Sequence, residues 1–159
     1  MEKKLIKNCT IFKIFISLLM IGFTSLACNS EDESKDNDGP DKLPNTSWKF
    51  YGFGSKNGSK IREAMPIECE TCYTITFHEE KKITGKTTTN DFVGEYTING
   101  DELCLKNVGT TKVGEIGDGE EFYLSLLSCS YFSIIGKRLF LYYNNKQNYL
   151  LFNLKQKPL

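Results

Sequence analysis

The chain has one histidine, His78, and no net charge: 20 acidic residues balance 20 basic ones. A single imidazole cannot build a histidine-rich metal cluster. It supports no serine–histidine–aspartate relay either. His78 stands beside Glu79, Glu80 and Lys81 at the end of an alternating segment, where an exposed turn residue is expected. Neutrality removes the basic footprint that a nucleic-acid partner requires. Long apolar runs are also missing. The longest, Ile14 to Ala27, falls short of the roughly 20 residues that a membrane-crossing helix needs, and Lys13 blocks its extension backwards.

That short run has another use. A basic start (Lys3, Lys4, Lys7, Lys13), an apolar stretch and a close on Ser25-Leu26-Ala27-Cys28 form the three parts of an export signal. The close resembles the lipobox of bacterial lipoproteins, with Ser25 where leucine is usual and Leu26 one place later. The resemblance implies cleavage before Cys28, acylation of Cys28 and a lipid anchor in the outer membrane. Two or three acyl chains, at about 0.8 kcal/mol per buried methylene, make such an anchor effectively permanent. An uncleaved anchor helix over residues 1–27 is the competing reading.

After Cys28 the composition changes. Asn29 to Lys42 holds six acids and two lysines and no apolar side chain beyond Pro40. Such a segment buries too little surface to offset the entropy of ordering it, so residues 28–42 are expected to be a tether. Ser30-Glu31-Asp32-Glu33 resembles the acidic tag of surface-displayed lipoproteins, which implies an outward-facing domain. A plain solvated spacer facing the periplasm is the alternative.

Residues 43–159 suit one domain. They carry 14 basic and 13 acidic residues, so the acidic bias sits in the tether. Tyr73, Ile75 and Phe77 alternate with threonines, and Asn99-Gly100 is a strong hairpin turn. Strands are expected over 46–53, 73–77, 82–88, 92–98, 102–106, 131–135, 138–143 and 149–154, with a Gly-rich loop from Gly54 to Arg62. One segment departs from period two. Asp118 and Glu121 suggest a capping-box variant, and Phe122 and Leu126 share a helical face, which predicts a helix over 120–128. The fold expected is mainly β (α+β): a compact antiparallel barrel-like sheet with one short helix before the last three strands.

Four cysteines remain in this domain: Cys69, Cys72, Cys104 and Cys129. In an exported chain they read as disulfides. Three pairings are open; Cys69–Cys72 with Cys104–Cys129 is preferred, worth about 2 and about 3.5 kcal/mol on the chain-entropy account. Cys69-Glu70-Thr71-Cys72 has a redox alternative, but Glu68 and Glu70 would oppose a thiolate, and a zinc site would want a second such motif. The carboxylate pairs Glu79-Glu80 and Glu120-Glu121 do not suit two acids facing one bond. No catalytic set, metal set or cofactor motif is expected. Outward aromatics remain, with Tyr51, Phe53 and Tyr142 as a candidate contact patch.

The order of motifs resembles the META-domain family of small bacterial envelope proteins, which includes a heat-inducible lipoprotein. The resemblance begins at Leu43-Pro44-Asn45-Thr46-Ser47-Trp48-Lys49 and continues through Thr74-Ile75-Thr76-Phe77, Gly85 and Asn90-x-Phe92-x-Gly94-x-Tyr96. Thr88-Thr89-Asn90 keeps only the asparagine of the family's Gly-Cys-Asn. Thr110-Thr111, Glu121-Phe122-x-x-x-Leu126 and Tyr131-x-x-x-x-Gly136-x-x-Leu139-x-Leu141 complete it. The resemblance implies a barrel-like sheet and no active site. The reading is a lipid-anchored protein with an interaction or stress-tolerance role and a protein partner; the alternative is a barrel holding a small apolar ligand.

Overall fold

The computed structural model describes residues 39, 41–58 and 60–155. The leader, Cys28 and the tether up to residue 38 lie outside the described residues. Those described form nine strands and one helix: β1 (Thr46–Ser55), β2 (Arg62–Glu63), β3 (Thr74–Phe77), β4 (Lys82–Lys86), β5 (Asp91–Asn99), β6 (Glu102–Thr110), α1 (Gly119–Leu127), β7 (Tyr131–Ile135), β8 (Arg138–Tyr143) and β9 (Asn148–Leu154). The expected mainly β architecture, with one helix before the last three strands, is what forms.

All pairings are antiparallel. The order runs β2-β1-β3-β4-β5-β6-β7-β8-β9, and β9 also pairs with β1, so the sheet closes in a ring. On its other edge, β1 serves two partners. Its first half pairs with β3, Thr46 opposite Phe77, and its second half with β2, Phe53 opposite Arg62. The ring is thinnest between β6 and β7, which meet at the single pair Glu102–Tyr131.

Closure sends one face of each strand of the ring inward, while β2, at the edge beside β1, is exposed at both residues. Trp48, Ile75, Phe77, Ile83, Leu139, Leu141, Leu150 and Phe152 are fully buried. The helix closes one end. Phe122 enters an aromatic cluster, its ring centroid 4.8 Å from Phe50, 5.3 Å from Tyr73 and 6.1 Å from Phe152. Leu126, one turn later, is also fully buried.

Three expectations are corrected. The first strand does not stop at Phe53: it runs to Ser55 along β9. Gly54 stays in the strand because the Tyr149 ring occupies the place of a side chain, 2.2 Å from where a Cβ would stand. The pairing of β1 with β9 also slips between Phe50 and Gly52. A bulge shifts the inside–outside alternation by one residue, which turns Phe53 inward. The helix begins at Gly119 instead of Glu120, and Asp118 makes no side-chain capping bond. Its carboxylate is used elsewhere, as described next.

Candidate functional site

One end of the ring gathers most of the polar chemistry of the domain. The β4–β5 turn, Thr87 to Asn90, faces the segment from Thr111 to Asp118 that leads into α1. Glu115 is the hub between them. Its carboxylate accepts from the hydroxyls of Thr87 and Thr88 and from the Asn90 amide. It also accepts from the Thr89 hydroxyl at 3.2 Å and from the backbone N–H groups of Thr88 and Thr89 at 3.3 Å. Asn90 grips the same segment: Val113 N–H and the Thr111 hydroxyl donate to its oxygen at 2.7 and 2.8 Å, and its nitrogen donates to the Val113 carbonyl at 2.7 Å. Partial burial pushes the Glu115 pKa up, but the bonds from Thr87, Thr88, Asn90 and the Thr89 backbone prevail and bring it down to about 2. A carboxylate so surrounded stays ionised at neutral pH and has no proton to give. It is a clasp.

A second clasp joins the loop after β2 to the same segment. The Arg62 guanidinium donates to Asp118 at 2.7 Å and to Glu121 at 2.6 Å, with its plane 4.1 Å over the Phe53 ring. Asp118 also accepts Met65 N–H at 3.0 Å, while Asp118 N–H donates to the Met65 carbonyl at 2.9 Å. The Tyr73 hydroxyl donates to that carbonyl as well. Burial, helped by the Asp118 charge, pushes Tyr73 up to about 12. Gly117, at φ +57°, lies so close that a Cβ would stand 2.2 Å from the Met65 carbonyl oxygen. Only a glycine meets both demands. The expected cap residues Asp118 and Glu121 are therefore Arg62 ligands.

The third brace is the Cys69–Cys72 disulfide. Its short loop wraps the Lys49 ammonium, which donates to the carbonyls of Cys69, Glu70 and Cys72. Burial, then the Lys155 charge, lowers the Lys49 pKa. The preferred second pairing is corrected. Cys129 keeps a free, buried thiol that donates to the Ser125 carbonyl at 3.3 Å, so it does not bridge to Cys104. It lies just beyond α1, in the core, where burial pushes its pKa up. Replacing Cys69 and Cys72 together by serine is expected to lower stability by about 2 kcal/mol, read as a lower urea midpoint. A midpoint unchanged by the double substitution would show that the bridge braces nothing.

The expected contact patch does not assemble. Tyr51 is 39 % exposed and donates to Glu63 at 2.7 Å. Phe53 is buried beneath Arg62, the consequence of the β1 bulge. Tyr142 is half-buried and stacked with Phe140, with Tyr149 against its edge. His78 is half-buried, its Nε2 2.8 Å from the Thr84 hydroxyl, in a depression shared with Asn45, Glu79, Glu80 and Lys82. Glu80 pairs with Lys82 at 3.2 Å and Glu79 accepts from Asn45 at 3.3 Å, so the two acids serve separate partners. Among the described residues, no histidine, cysteine, aspartate and glutamate group could hold a metal ion. None of their helices is long and apolar enough to cross a membrane.

A small antiparallel ring, plugged at one end by a single helix and braced there by side-chain clasps, defines the class of this domain. The chain belongs to the META domain family, whose pattern it matches over residues 41–156. It is 27 % identical over 148 residues to a Tannerella forsythia protein called "Putative lipoprotein", covering 87 % of this chain and 92 % of that one. Two solved structures share the fold. A protein from Burkholderia xenovorans matches with TM-score 0.59 and 19 % identity over 84 % of this chain and all of that one. A DUF4847 family protein from Bacteroides vulgatus matches with TM-score 0.56 and 15 % identity, over 73 % and 96 %.

Glu115, Arg62 and Lys49 were not singled out in the sequence. The run Thr87-Thr88-Thr89-Asn90 is a dense set of donors and is the one local sign that an acceptor must lie near. Which carboxylate fills it is set by a loop 25 to 28 residues away.

Proposed function

We propose that this chain is a lipoprotein of the bacterial envelope, held in the outer membrane by acyl chains on Cys28, whose domain works without catalysis by engaging a partner. The anchor rests on Ser25-Leu26-Ala27-Cys28 after a basic and apolar leader, and is supported by the lipoprotein name of the Tannerella relative. The non-enzymatic role rests on one observation: Glu115, Arg62 and Lys49 are each engaged by several neighbours in bonds that hold loops in place. Such groups position backbone and leave little freedom for proton transfer. The acidic block Ser30-Glu31-Asp32-Glu33 supports display on the outer face.

The ring interior bears on the alternative. Trp48, Phe50, Phe122 and Phe152 fill it, as side chains commonly fill small barrels, which favours surface recognition over an enclosed apolar ligand. Intact-mass analysis of the protein from its own host tests the anchor. The expected product starts at Cys28 and carries acyl chains, and Cys28→Ala moves it from the membrane to the soluble fraction. A retained leader or a bare Cys28 would overturn the reading. Protease treatment of whole cells tests display: an outward domain is cut, a periplasmic one is spared.

A further inference from the structure

The braced end of the ring exposes side chains that a soluble surface normally hides. Met65 is 52 % exposed, Ile67 63 %, Val113 62 % and Ile116 62 %. All four lie on the two loops that the clasps hold together. Met65 N–H donates to the Asp118 carboxylate and its carbonyl accepts Asp118 N–H, the Val113 backbone bonds the Asn90 side-chain amide in both directions, and Ile116 N–H donates to the Thr88 hydroxyl at 3.1 Å. Ile67 is two residues from the disulfide. Leu124, 55 % exposed, adds the outer face of α1. Exposed loops with apolar tips are commonly mobile. Here they are fixed by a disulfide, a fully engaged carboxylate and an arginine fork, which removes much of the entropy cost of binding through them.

Charge is segregated around the same end. Residues 62–72 and 112–121 hold seven acids, with Arg62 and Lys112 as their basic residues, and the Lys49 ammonium lies in the Cys69–Cys72 loop. Lys49 aside, the rest of the domain, over residues 43–159, has eleven basic and six acidic residues. Glu68, Glu70 and Glu120 are exposed beside the apolar tips. The opposite end of the ring is where Thr46 begins β1 against Phe77, so the braced loops lie at the end of the ring away from the start of β1. An acidic rim is repelled by an anionic lipid surface and attracts cationic side chains.

We infer that this end, built from Met65, Ile67, Val113 and Ile116 within a rim of Glu68, Glu70 and Glu120, is a docking surface for a protein that presents apolar side chains among lysines and arginines. The inference rests on the non-catalytic interaction reading above and names the surface and its partner chemistry. Apolar contact would supply the affinity and the rim would supply orientation and encounter rate.

The test is photo-crosslinking in the producing cells. A benzophenone amino acid replaces Ile67 or Ile116 of the full chain, with exposed Ile98 and Ile135 as control positions. The expected result is one discrete protein adduct at 67 and at 116 and none at 98 or 135. The crosslinked peptide carries lysine or arginine beside apolar residues. Glu68→Lys with Glu120→Lys lowers its yield about tenfold, equivalent to about 1.4 kcal/mol; an unchanged melting temperature of that variant separates lost docking from lost folding. No adduct, equal adducts at the controls, an adduct of two copies of this chain, a lipid adduct, or a yield indifferent to charge reversal would each overturn the inference. A bare Cys28 defeats the anchoring alone, and an acylated chain with no adduct defeats the docking surface alone.

Discussion

Phe122→Ala is expected to lower the stability of the domain by about 3–5 kcal/mol. At roughly 4 °C per kcal/mol for a domain of this size, the melting temperature falls by about 15 °C. The size of the effect follows from position. Phe122 is fully buried and touches three aromatic rings drawn from β1, the segment before β3 and β9. Those elements come from three separate parts of the chain, and α1 is the one helix among the described residues. Removal leaves a cavity bordered by Phe50, Tyr73 and Phe152, whose backbones are held by ladder hydrogen bonds and cannot collapse inward. Leu124→Ala, on the outer face of the same helix, is expected to cost below about 1 kcal/mol. Chemical denaturation of both variants checks the contrast. Equal losses would mean that α1 lies on the ring and does not plug it.

Glu115→Gln is expected to cost about 2–3 kcal/mol at pH 7, because several hydroxyl and amide donors lose a charged acceptor. The effect carries a pH signature. The folded-state pKa of Glu115 is lowered from the ordinary 4.5 to about 2. A lowered carboxylate contributes stability that is fully present above its unfolded value and is lost as pH falls through the folded one. The wild-type advantage over Glu115→Gln should therefore be constant above about pH 5. Between about pH 4.5 and pH 2 it should shrink by about 1–2 kcal/mol, after discounting for solvent screening at a partly exposed group. Urea midpoints of the two proteins at pH 7, 4 and 2.5 measure this. Parallel curves through the acid range would mean that the carboxylate is not held by the Thr87–Asn90 turn. The same variant also probes the docking surface, since freeing residues 111–118 loosens Val113 and Ile116.

Local alternation was enough to locate most strands. Tyr131–Ile135 and Arg138–Tyr143 form with the expected bounds, and a turn joins β5 to β6 where one was expected, although Gly100-Asp101 makes it while Asn99 stays in the strand opposite Glu102. Each is a property of adjacent residues, legible wherever one face is buried and the turn residues are explicit. Strand ends were less legible. β6 runs on to Thr110 and β4 stops at Lys86, because a partner's length decides how far a ladder extends. The bulge after Phe50 has no local mark, and it moved Phe53 from the surface to the core.

Residues in the linear order were enough for the fold class and for the preference for a Cys69–Cys72 bridge, since periodicity, composition and a two-residue spacing act over short stretches of chain. Tertiary structure alone decided the rest. It chose a free thiol for Cys129, drew Asp118 and Glu121 from the helix cap to Arg62, and brought Glu115 to a turn more than twenty residues away. These outcomes depend on which segments meet when the ring closes, and closure is a property of all the strands at once.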